Sequence, residues 1–559
     1  MEYLKFRNVV EENKKGIKET VDDALSRLKL AQQTYPKLIM EVVRSGNLER
    51  QLSLAEEEAD SSSRTNPNND SSKSAGAYFL NEDVIGGSRE VDVIDYTNRL
   101  GSSLVPNWKP AEQKLKLSPG IGLIEAPSLY RRLINQGLKN DRLTINYTAP
   151  FGTSDARKGI KSIMDSRIDP EGDFFPDTGV FVTEGATEGV DLFMETMAQL
   201  YPGSRVVFLG LSYYTGPFSA AQKGLVADRL ITNPVDIGAQ TRFFPSVDEI
   251  ARSLPIDTKA LVLTMPNNPN GETYGNQEMQ RLIRLAKERG CLILFDGIFE
   301  NMYFDQQNNY RSRPLQIAAA DNSLDRIVTV DSLSKTRNLP GERIGFIAST
   351  NQKFVDTLTD VVLSRRCNPR LVLGPLLSFE GLARKTKALQ ANYPQTSLTT
   401  LVDYAMAKGS FPFDKKEFEQ MYNQWDSWDQ EVMKYYTSNL ELVRTILKGE
   451  VSGWSPDDAA FNTFVRAIPP GKNANSMDYL AKLMFTLATY TQVGPCFGLS
   501  QRTWDNQLGI WSRITYACSR NDLTEALIRF ITFTRYYAEK NFGDPNRFPV
   551  LKISYDNLI

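Results

Sequence analysis

Three polar residues stand where apolar stretches of the sequence end. Asn268 follows ALVLTMP, Asp296 closes CLILFD, and Lys335 comes shortly after RIVTVD. A lysine amine can act as a nucleophile or a base, and a carboxylate can accept a proton or stabilise a positive charge. In an α/β sheet such groups gather at the carboxyl ends of the strands. The spacing therefore predicts one site at which an amine and a carboxylate act together.

The chain contains no histidine in its 559 residues. This absence excludes Ser-His-Asp triads, HExxH metal sites and every imidazole acid or base. Proton chemistry would have to come from Lys, Tyr, Cys or carboxylates, which is sufficient when a cofactor carries the difficult step.

Short apolar strands alternate with helical patterns from about residue 150 onward, which predicts an α/β layer with a mostly parallel sheet. QEMQRLIRLAKERG reads as an amphipathic helix that ends at glycine. The predicted strands are VVFL at 206–209, ALVLTMP at 260–266, CLILFD at 291–296, RIVTVD at 326–331 and RIGFIAS at 343–349.

Charge and cysteine content narrow the possible partners. With 65 basic and 67 acidic residues the formal net charge is -2, so no global attraction draws the chain to nucleic acid or an anionic membrane. The four cysteines form no CxxC pair, which argues against a disulfide framework or structural zinc. We expect no metal, no membrane span and a cytoplasmic location.

Five motifs occur in an order that resembles the fold-type I enzymes of pyridoxal 5'-phosphate (PLP), in particular the class I/II aminotransferases. They are GATEG at 185–189, MPNNPNG at 265–271, FDGIF at 295–299, DSLSK at 331–335 and PGERIG at 340–345. The match is dense over roughly 145–350 and resumes at SRITYA, residues 512–517. It implies a mostly parallel seven-stranded sheet in a large domain, followed by a smaller α+β domain at the C-terminus.

This resemblance, with the composition, predicts a division of the chain. An amphipathic helix in 14–45 and a flexible linker at about 56–76 belong to an N-terminal extension, and a long helix or two abutting ones cover 414–447. The expected divisions are 1–90 for that extension, 91–160 for an arm that reaches the small domain and a dimer interface, 161–370 for the large PLP-binding domain, 371–430 for an insertion or connecting helices, and 431–559 for the small domain.

The resemblance also implies roles at the centre of the site. Lys335 would hold PLP as a Schiff base and, once displaced, move a proton at the substrate. Asp296 would keep the pyridine nitrogen protonated, and Asn268 would donate to the phenolic oxygen of PLP and border the substrate. Each residue also has an ordinary structural explanation. Lys335 could be a solvated lysine after a strand, Asp296 could cap a turn, and Asn268 lies in NPNG, a sequence that favours turns.

The phosphate of PLP would bind at the start of a helix. The backbone N–H groups of Gly185, Ala186 and Thr187 would present donors to it, because the first turn of a helix leaves them unpaired. Ser332 and Arg343 resemble the remaining phosphate ligands of the family, and the guanidinium fork of Arg343 suits a phosphate.

Three further residues complete the implied site. Alignment on the TG pair of SYYTG selects Tyr214 rather than Tyr213 to stack on the PLP ring. Tyr147 resembles a tyrosine that reaches the phosphate of the neighbouring protomer, which implies a homodimer with shared active sites. Arg513 resembles the arginine that clamps the substrate α-carboxylate, and its rival interpretation is a surface arginine on an edge strand.

The chain also departs from the family. Phe299 stands where the family has a tyrosine that donates to PLP, and the extra residues at the N-terminus and in 380–425 could reshape the site. Transamination of an amino acid is the first hypothesis. Decarboxylation, β- or γ-replacement or cyclisation is the second, and a non-catalytic protein that keeps the fold is the third.

Overall fold

The computed structural model describes residues 78–79, 115–117, 120, 122, 124–139, 149–232, 236–237, 240–304, 313–365, 373–407, 412–457, 459–471 and 473–542. The helix expected in 14–45, the linker expected at about 56–76, and Tyr147 all lie outside the described residues.

The strands carry the parts of the sequence that are rich in apolar and β-branched residues. In chain order they are β1 Tyr78–Phe79, β2 Leu115–Lys116, β3 Val180–Glu184, β4 Arg205–Leu209, β5 Val226–Leu230, β6 Asp236–Ile237, β7 Gln240–Thr241, β8 Thr258–Thr264, β9 Leu292–Asp296, β10 Ile327–Ser332, β11 Ile344–Ser349, β12 Gly453–Trp454, β13 Asn462–Ile468, β14 Thr489–Tyr490, β15 Gln492–Val493 and β16 Ile510–Thr515.

The helices lie between and after these strands. They are α1 Ser128–Leu138, α2 Ser154–Ser166, α3 Gly185–Leu200, α4 Thr215–Gln222, α5 Val247–Ser253, α6 Asn276–Arg289, α7 Pro314–Ala320, α8 Leu333–Thr336, α9 Gln352–Arg365, α10 Gly374–Asn392, α11 Leu398–Ala407, α12 Lys415–Leu447, α13 Ser476–Leu487, α14 Gln501–Thr503 and α15 Arg520–Phe542. Among the described residues, no helix is both long enough and apolar enough to cross a membrane.

The large sheet has the strand order β1-β5-β4-β8-β9-β10-β11-β3. Strands β5, β4, β8, β9 and β10 run parallel, and β11 runs antiparallel to both β10 and β3. The mostly parallel sheet is confirmed, and the two-residue β1 adds an eighth strand at its edge. Separate apolar clusters cover the two faces, which explains the continuous apolar runs of the central strands.

The predicted strand and helix limits agree closely with the structure. Helix α6 covers the predicted amphipathic segment and ends at Gly290, which has a φ of 65° and so closes the helix in the left-handed region that favours glycine. Sequence reasoning did not identify β3, which directly precedes GATEG, or β5, whose sequence VADRL contains two charged residues.

A second sheet, in the order β15-β16-β13-β12-β7-β6, combines four strands from the C-terminal part of the chain with β6 and β7 from residues 236–241. Strand β16, which carries Arg513, pairs with β13 on one side and β15 on the other, and is therefore not an edge strand. Strand β2 pairs with β14 in a separate parallel pair, and this pairing joins the N-terminal arm to the C-terminal region.

The segment between the two sheets is helical. Residues 415–447 form one continuous helix, α12, whose N-terminus is capped by Asp414 at 2.8 Å from the amide of Glu417. Helix α10 packs tightly on α2, because Gly159 and Gly381 let the two backbones approach closely. These helices are thus part of the core around the large sheet.

Candidate active site

Lys335 lies on the short helix α8, directly after β10. The side chain of Ser332 caps this helix by accepting a hydrogen bond from the amide of Ser334 at 3.2 Å. The Nζ atom of Lys335 donates to the carbonyl oxygen of Gly120. Burial first, and then the nearby charges of Arg513 and Arg343, lower the pKa of Lys335 to about 8, against the opposite effect of Asp296. The amine is therefore easily made neutral, as a nucleophile or base requires.

Asp296 ends β9 at the same edge of the sheet. Its carboxylate accepts from the Thr264 hydroxyl and from the Ile298 amide, each at 3.3 Å. Burial, with a smaller contribution from the charge of Asp331, raises the pKa of Asp296 to about 7, although the two hydrogen bonds and Lys335 oppose the rise. The bond to Ile298 means that Asp296 also stabilises its turn, as the ordinary structural explanation required.

Asn268 and Arg513 meet although 245 residues separate them in the sequence. The Nη1 atom of Arg513 donates to Oδ1 of Asn268 at 2.8 Å, and the guanidinium lies 5.2 Å from the centre of the Phe497 ring. Arg513 is only 2% exposed, so the interpretation as a surface arginine is wrong. Burial lowers the pKa of Arg513 to about 10. The buried guanidinium of Arg513 is close enough to Lys335 for its charge to lower the pKa of the amine.

The start of α3 lies against Arg343, and we call this pair the cradle. Gly185 begins the helix with a φ of 76°, and an added Cβ atom there would lie 2.7 Å from Nη2 of Arg343. That Nη2 atom donates to the carbonyl oxygen of Glu184 at 3.0 Å. Arg343 itself has a φ of 52°, a strained conformation for a residue with a side chain, and such strain is concentrated at functional sites. Thr187, the third residue of α3, is exposed and follows the buried Ala186.

The two tyrosines of SYYTG are in ring contact, with centroids 4.6 Å apart. Tyr214 immediately precedes α4. Tyr213 is 42% exposed, yet partial burial raises its pKa, and the charges of both Arg513 and Arg343 act to lower it. Tyr213 therefore lies near the two cationic ends of the site, and sequence alignment had set it aside in favour of Tyr214.

Sequence reasoning missed the segment that covers Lys335 from the N-terminal side. Besides the carbonyl of Gly120, this segment includes Gly122, where an added Cβ atom would lie 2.1 Å from Oδ1 of Asn338. Asn338 in turn donates to the carbonyl of Ile124 at 3.1 Å. The two glycines of SPGIG were the only signal available, and glycine pairs also occur in ordinary turns.

The raised pKa of Asp296 makes a prediction for the protein without ligand. An unfolded aspartate titrates near 4, so between about pH 4 and 7 the folded state binds more protons, and the free energy of unfolding falls as pH rises. Asp296→Asn removes this loss. We expect the ligand-free variant to be more stable than the parent at pH 8, by about 1–2 kcal/mol, and not at pH 4.

Urea unfolding at several pH values would measure the difference. Asp248→Asn is the control, because Asp248 is exposed and pairs with Arg281 at the surface. A stability difference for Asp296→Asn that does not change with pH would contradict a raised pKa at Asp296.

Comparison with known proteins agrees with this geometry. Residues 96–367 match the family described as aminotransferase class I and II. The chain is 30% identical over 211 residues to an aspartate aminotransferase of Thermotoga maritima, which is 37% of this chain and 51% of that protein. It is 25% identical over 242 residues to aromatic-amino-acid aminotransferase 2 of Thermococcus litoralis, which is 42% of this chain and 56% of that protein. The chain thus aligns with about half the length of these curated relatives.

Solved structures extend the likeness in fold. The aspartate aminotransferase of Thermotoga maritima superposes with a TM-score of 0.57 at 20% identity, over 80% of this chain and 96% of that one. The N-succinyldiaminopimelate aminotransferase of Mycobacterium tuberculosis gives 0.59 at 16% identity, over 79% of this chain and 97% of that one. At such identities the likeness concerns the fold, which is that of the fold-type I aminotransferases. The motif order, the sheet and the family match agree: residues 96–367 of this chain are similar to the class I and II aminotransferases.

Proposed function

We propose that the protein is a PLP-dependent aminotransferase that acts on an α-amino acid. The observation that carries the proposal is the grouping of Lys335, Asp296 and the cradle of Gly185 and Arg343 at one edge of the large sheet. Class I and II aminotransferases depend on PLP. The grouping supplies an amine, an acid and an anion site, which are the groups that this cofactor needs from a protein.

The residues present fit PLP by a structural criterion. Gly185 leaves the space at the helix start that a side chain would fill, and the guanidinium of Arg343 borders that space. The amides of Gly185, Ala186 and Thr187, with Ser332 and Arg343, would hold the phosphate. Asp296 would face the ring nitrogen, and Tyr214 would contact the ring. When bound, PLP supplies an aldehyde for covalent attachment of amines and an electron-poor ring that accepts electrons from the substrate.

The protein's own groups account for the remaining work. Arg513 would bind the α-carboxylate through its fork, with Asn268 fixing the orientation of the guanidinium. The neutral amine of Lys335 would take the proton from the substrate α-carbon and return it to the product. A pKa of about 8 leaves part of that amine neutral near pH 7, so a histidine is not needed.

One observation favours a second candidate reaction. Phe299 is 3% exposed and packs edge-on against Phe461, at 5.4 Å between ring centres, so the position is part of an apolar cluster and offers no hydroxyl. The tyrosine that the family has there would donate to PLP, and its loss changes how negative charge is stabilised. This supports decarboxylation, β- or γ-replacement or cyclisation as the alternative outcome.

We also propose a homodimer with shared active sites and a cytoplasmic location. The dimer is supported by the resemblance of the segment around Tyr147 to one that reaches a neighbouring subunit. The location is supported by Cys291, Cys496 and Cys518, which form no disulfide within the described part of the chain.

The decisive experiment is spectroscopic. The purified protein should be yellow with bound PLP, and borohydride reduction should attach the cofactor to Lys335, as peptide mapping would detect. Titration with a panel of amino acids should convert PLP to pyridoxamine phosphate and release a keto acid. Product without pyridoxamine phosphate would instead support the second reaction, and a function that survives Lys335→Ala would leave only the non-catalytic hypothesis.

The phosphate cradle predicts the effect of one added methyl group. Gly185→Ala should weaken PLP binding at least roughly tenfold, because its Cβ atom would collide with Arg343. Gly203→Ala is the matched control, since Gly203 has a similar φ of 68° but an added Cβ atom there meets nothing within 4 Å. Fluorescence titration with PLP measures both. Equal losses in the two variants would attribute the effect to backbone strain alone.

The carboxylate clamp predicts a change in substrate binding alone. Arg513→Lys keeps the charge but loses the fork, so the KM for a productive amino acid should rise roughly a hundredfold while PLP affinity stays unchanged. Arg466→Lys is the control, because Arg466 lies on the neighbouring strand β13, 5.6 Å from the Trp511 ring. Steady-state kinetics would check this, and an unchanged KM would exclude Arg513 as the clamp.

A further inference from the structure

Arg167 is a buried arginine that none of the motifs includes. It directly follows α2, and its guanidinium reaches two carboxylates. The Nη1 atom lies 2.8 Å from Oε2 of Glu300, and Nη2 donates to Oδ2 of Asp331. The three side chains are between 1% and 10% exposed, so the cluster is sealed from solvent.

The two carboxylates belong to the two chain segments that carry the reactive groups. Glu300 lies in the turn after Asp296, where its amide donates to the carbonyl of Gly297 at 2.8 Å. The amide of Gly297 donates to the carbonyl of Val330 at 2.9 Å, and Val330 is the strand partner of Asp296.

Asp331 makes the corresponding link on the other segment. It follows Val330 in β10, and its Oδ1 atom accepts from the amide of Ser332 at 2.6 Å. Ser332 in turn caps α8, the helix that holds Lys335. The guanidinium of Arg167 therefore links the turn that follows Asp296 to the end of β10, just before Lys335.

The charges of this cluster require an arginine at position 167. The buried carboxylates of Glu300 and Asp331 would repel each other and the nearby Asp296, and Asp331 already raises the pKa of Asp296. Arg167 offsets that repulsion and holds both carboxylates with separate nitrogen atoms. A lysine would keep one positive charge but could not span both partners in the same fixed geometry.

We propose that Arg167 is a positioning residue that fixes the separation between Asp296 and Lys335 by clamping Glu300 to Asp331. The inference rests on the proposed function, since a rigid cofactor that contacts both groups must match that separation. Arg167 does not touch the cofactor itself in this proposal. Its loss should therefore weaken cofactor binding and change the environment of the bound ring without removing any ligand.

The test compares two arginines in the full-length protein loaded with PLP. Arg167→Lys should lower PLP affinity roughly tenfold or more and alter the visible circular dichroism band of the bound cofactor. Arg205→Lys is the matched control: Arg205 pairs with the fully buried Asp228, but it lies at the start of β4, away from the strand ends that carry the site. The control should lose a similar amount of thermal stability with an unchanged band and affinity.

Other results would overturn the proposal. If Arg167→Lys resembles the control in PLP affinity and band, Arg167 has only a structural role. If Arg167→Lys does not fold, Glu300→Gln, which breaks one side of the clamp, must show the same altered band, and a normal band there refutes the inference. If the parent protein binds no PLP, the proposed function itself fails, which is a distinct outcome.

Discussion

The site depends on the burial of the Lys335 amine near two positively charged arginines and one carboxylate, that of Asp296. Arg513 and Arg343 both favour the neutral form of Lys335, and Asp296 favours the charged form. Asp296 is itself destabilised as an anion by burial and by Asp331. Buried charged groups with unfavourable neighbours lower the stability of the folded protein. They are retained at sites where a bound ligand supplies the opposite charges. A dianionic phosphate and a protonated ring nitrogen would supply the missing charges.

The balance needs groups that come from distant parts of the chain. The large sheet alone brings Asp296 and Lys335 together, because β9 and β10 are adjacent and parallel. Arg513 arrives from the second sheet, and Gly120 arrives from the N-terminal arm. That arm is tied down where the amide of Leu117 donates to Tyr490 at 2.7 Å and the amide of Thr515 donates to Leu117 at 2.8 Å. The backbone bonds thereby hold the arm over the amine.

The helices between the sheets also reach the reactive turn. Arg337, two residues after Lys335, is buried and pairs with Glu380 of α10 at 2.8 Å and with Asp429 of α12 at 2.7 Å. Glu380 also accepts hydrogen bonds from Trp425 and Tyr130, and despite burial the charge of Arg337 helps to lower its pKa to about 2. Buried pairs of this kind add little net stability, but they fix one arrangement, because breaking either partner leaves an uncompensated charge. The segment that appeared as an insertion in the sequence thus supports the turn of Lys335.

By itself the sequence determined the parts of this protein that short-range chemistry encodes. Local patterns of apolar, polar and turn residues predict the order of motifs and the strands that end at Asp296 and before Lys335. They also predict the helix that ends at Gly290 and the glycine at the start of α3. Only the tertiary structure decided that Arg513 is buried beside Asn268 and that Gly120 accepts a hydrogen bond from Lys335. The same holds for the approach of Tyr213 to Arg513 and Arg343. It also holds for the link that Arg167 makes between Glu300 and Asp331. Those contacts join residues from different segments of the chain, and no periodicity records which segments will meet. Their pKa values follow from burial and from neighbouring charges, and both exist only once the chain has folded.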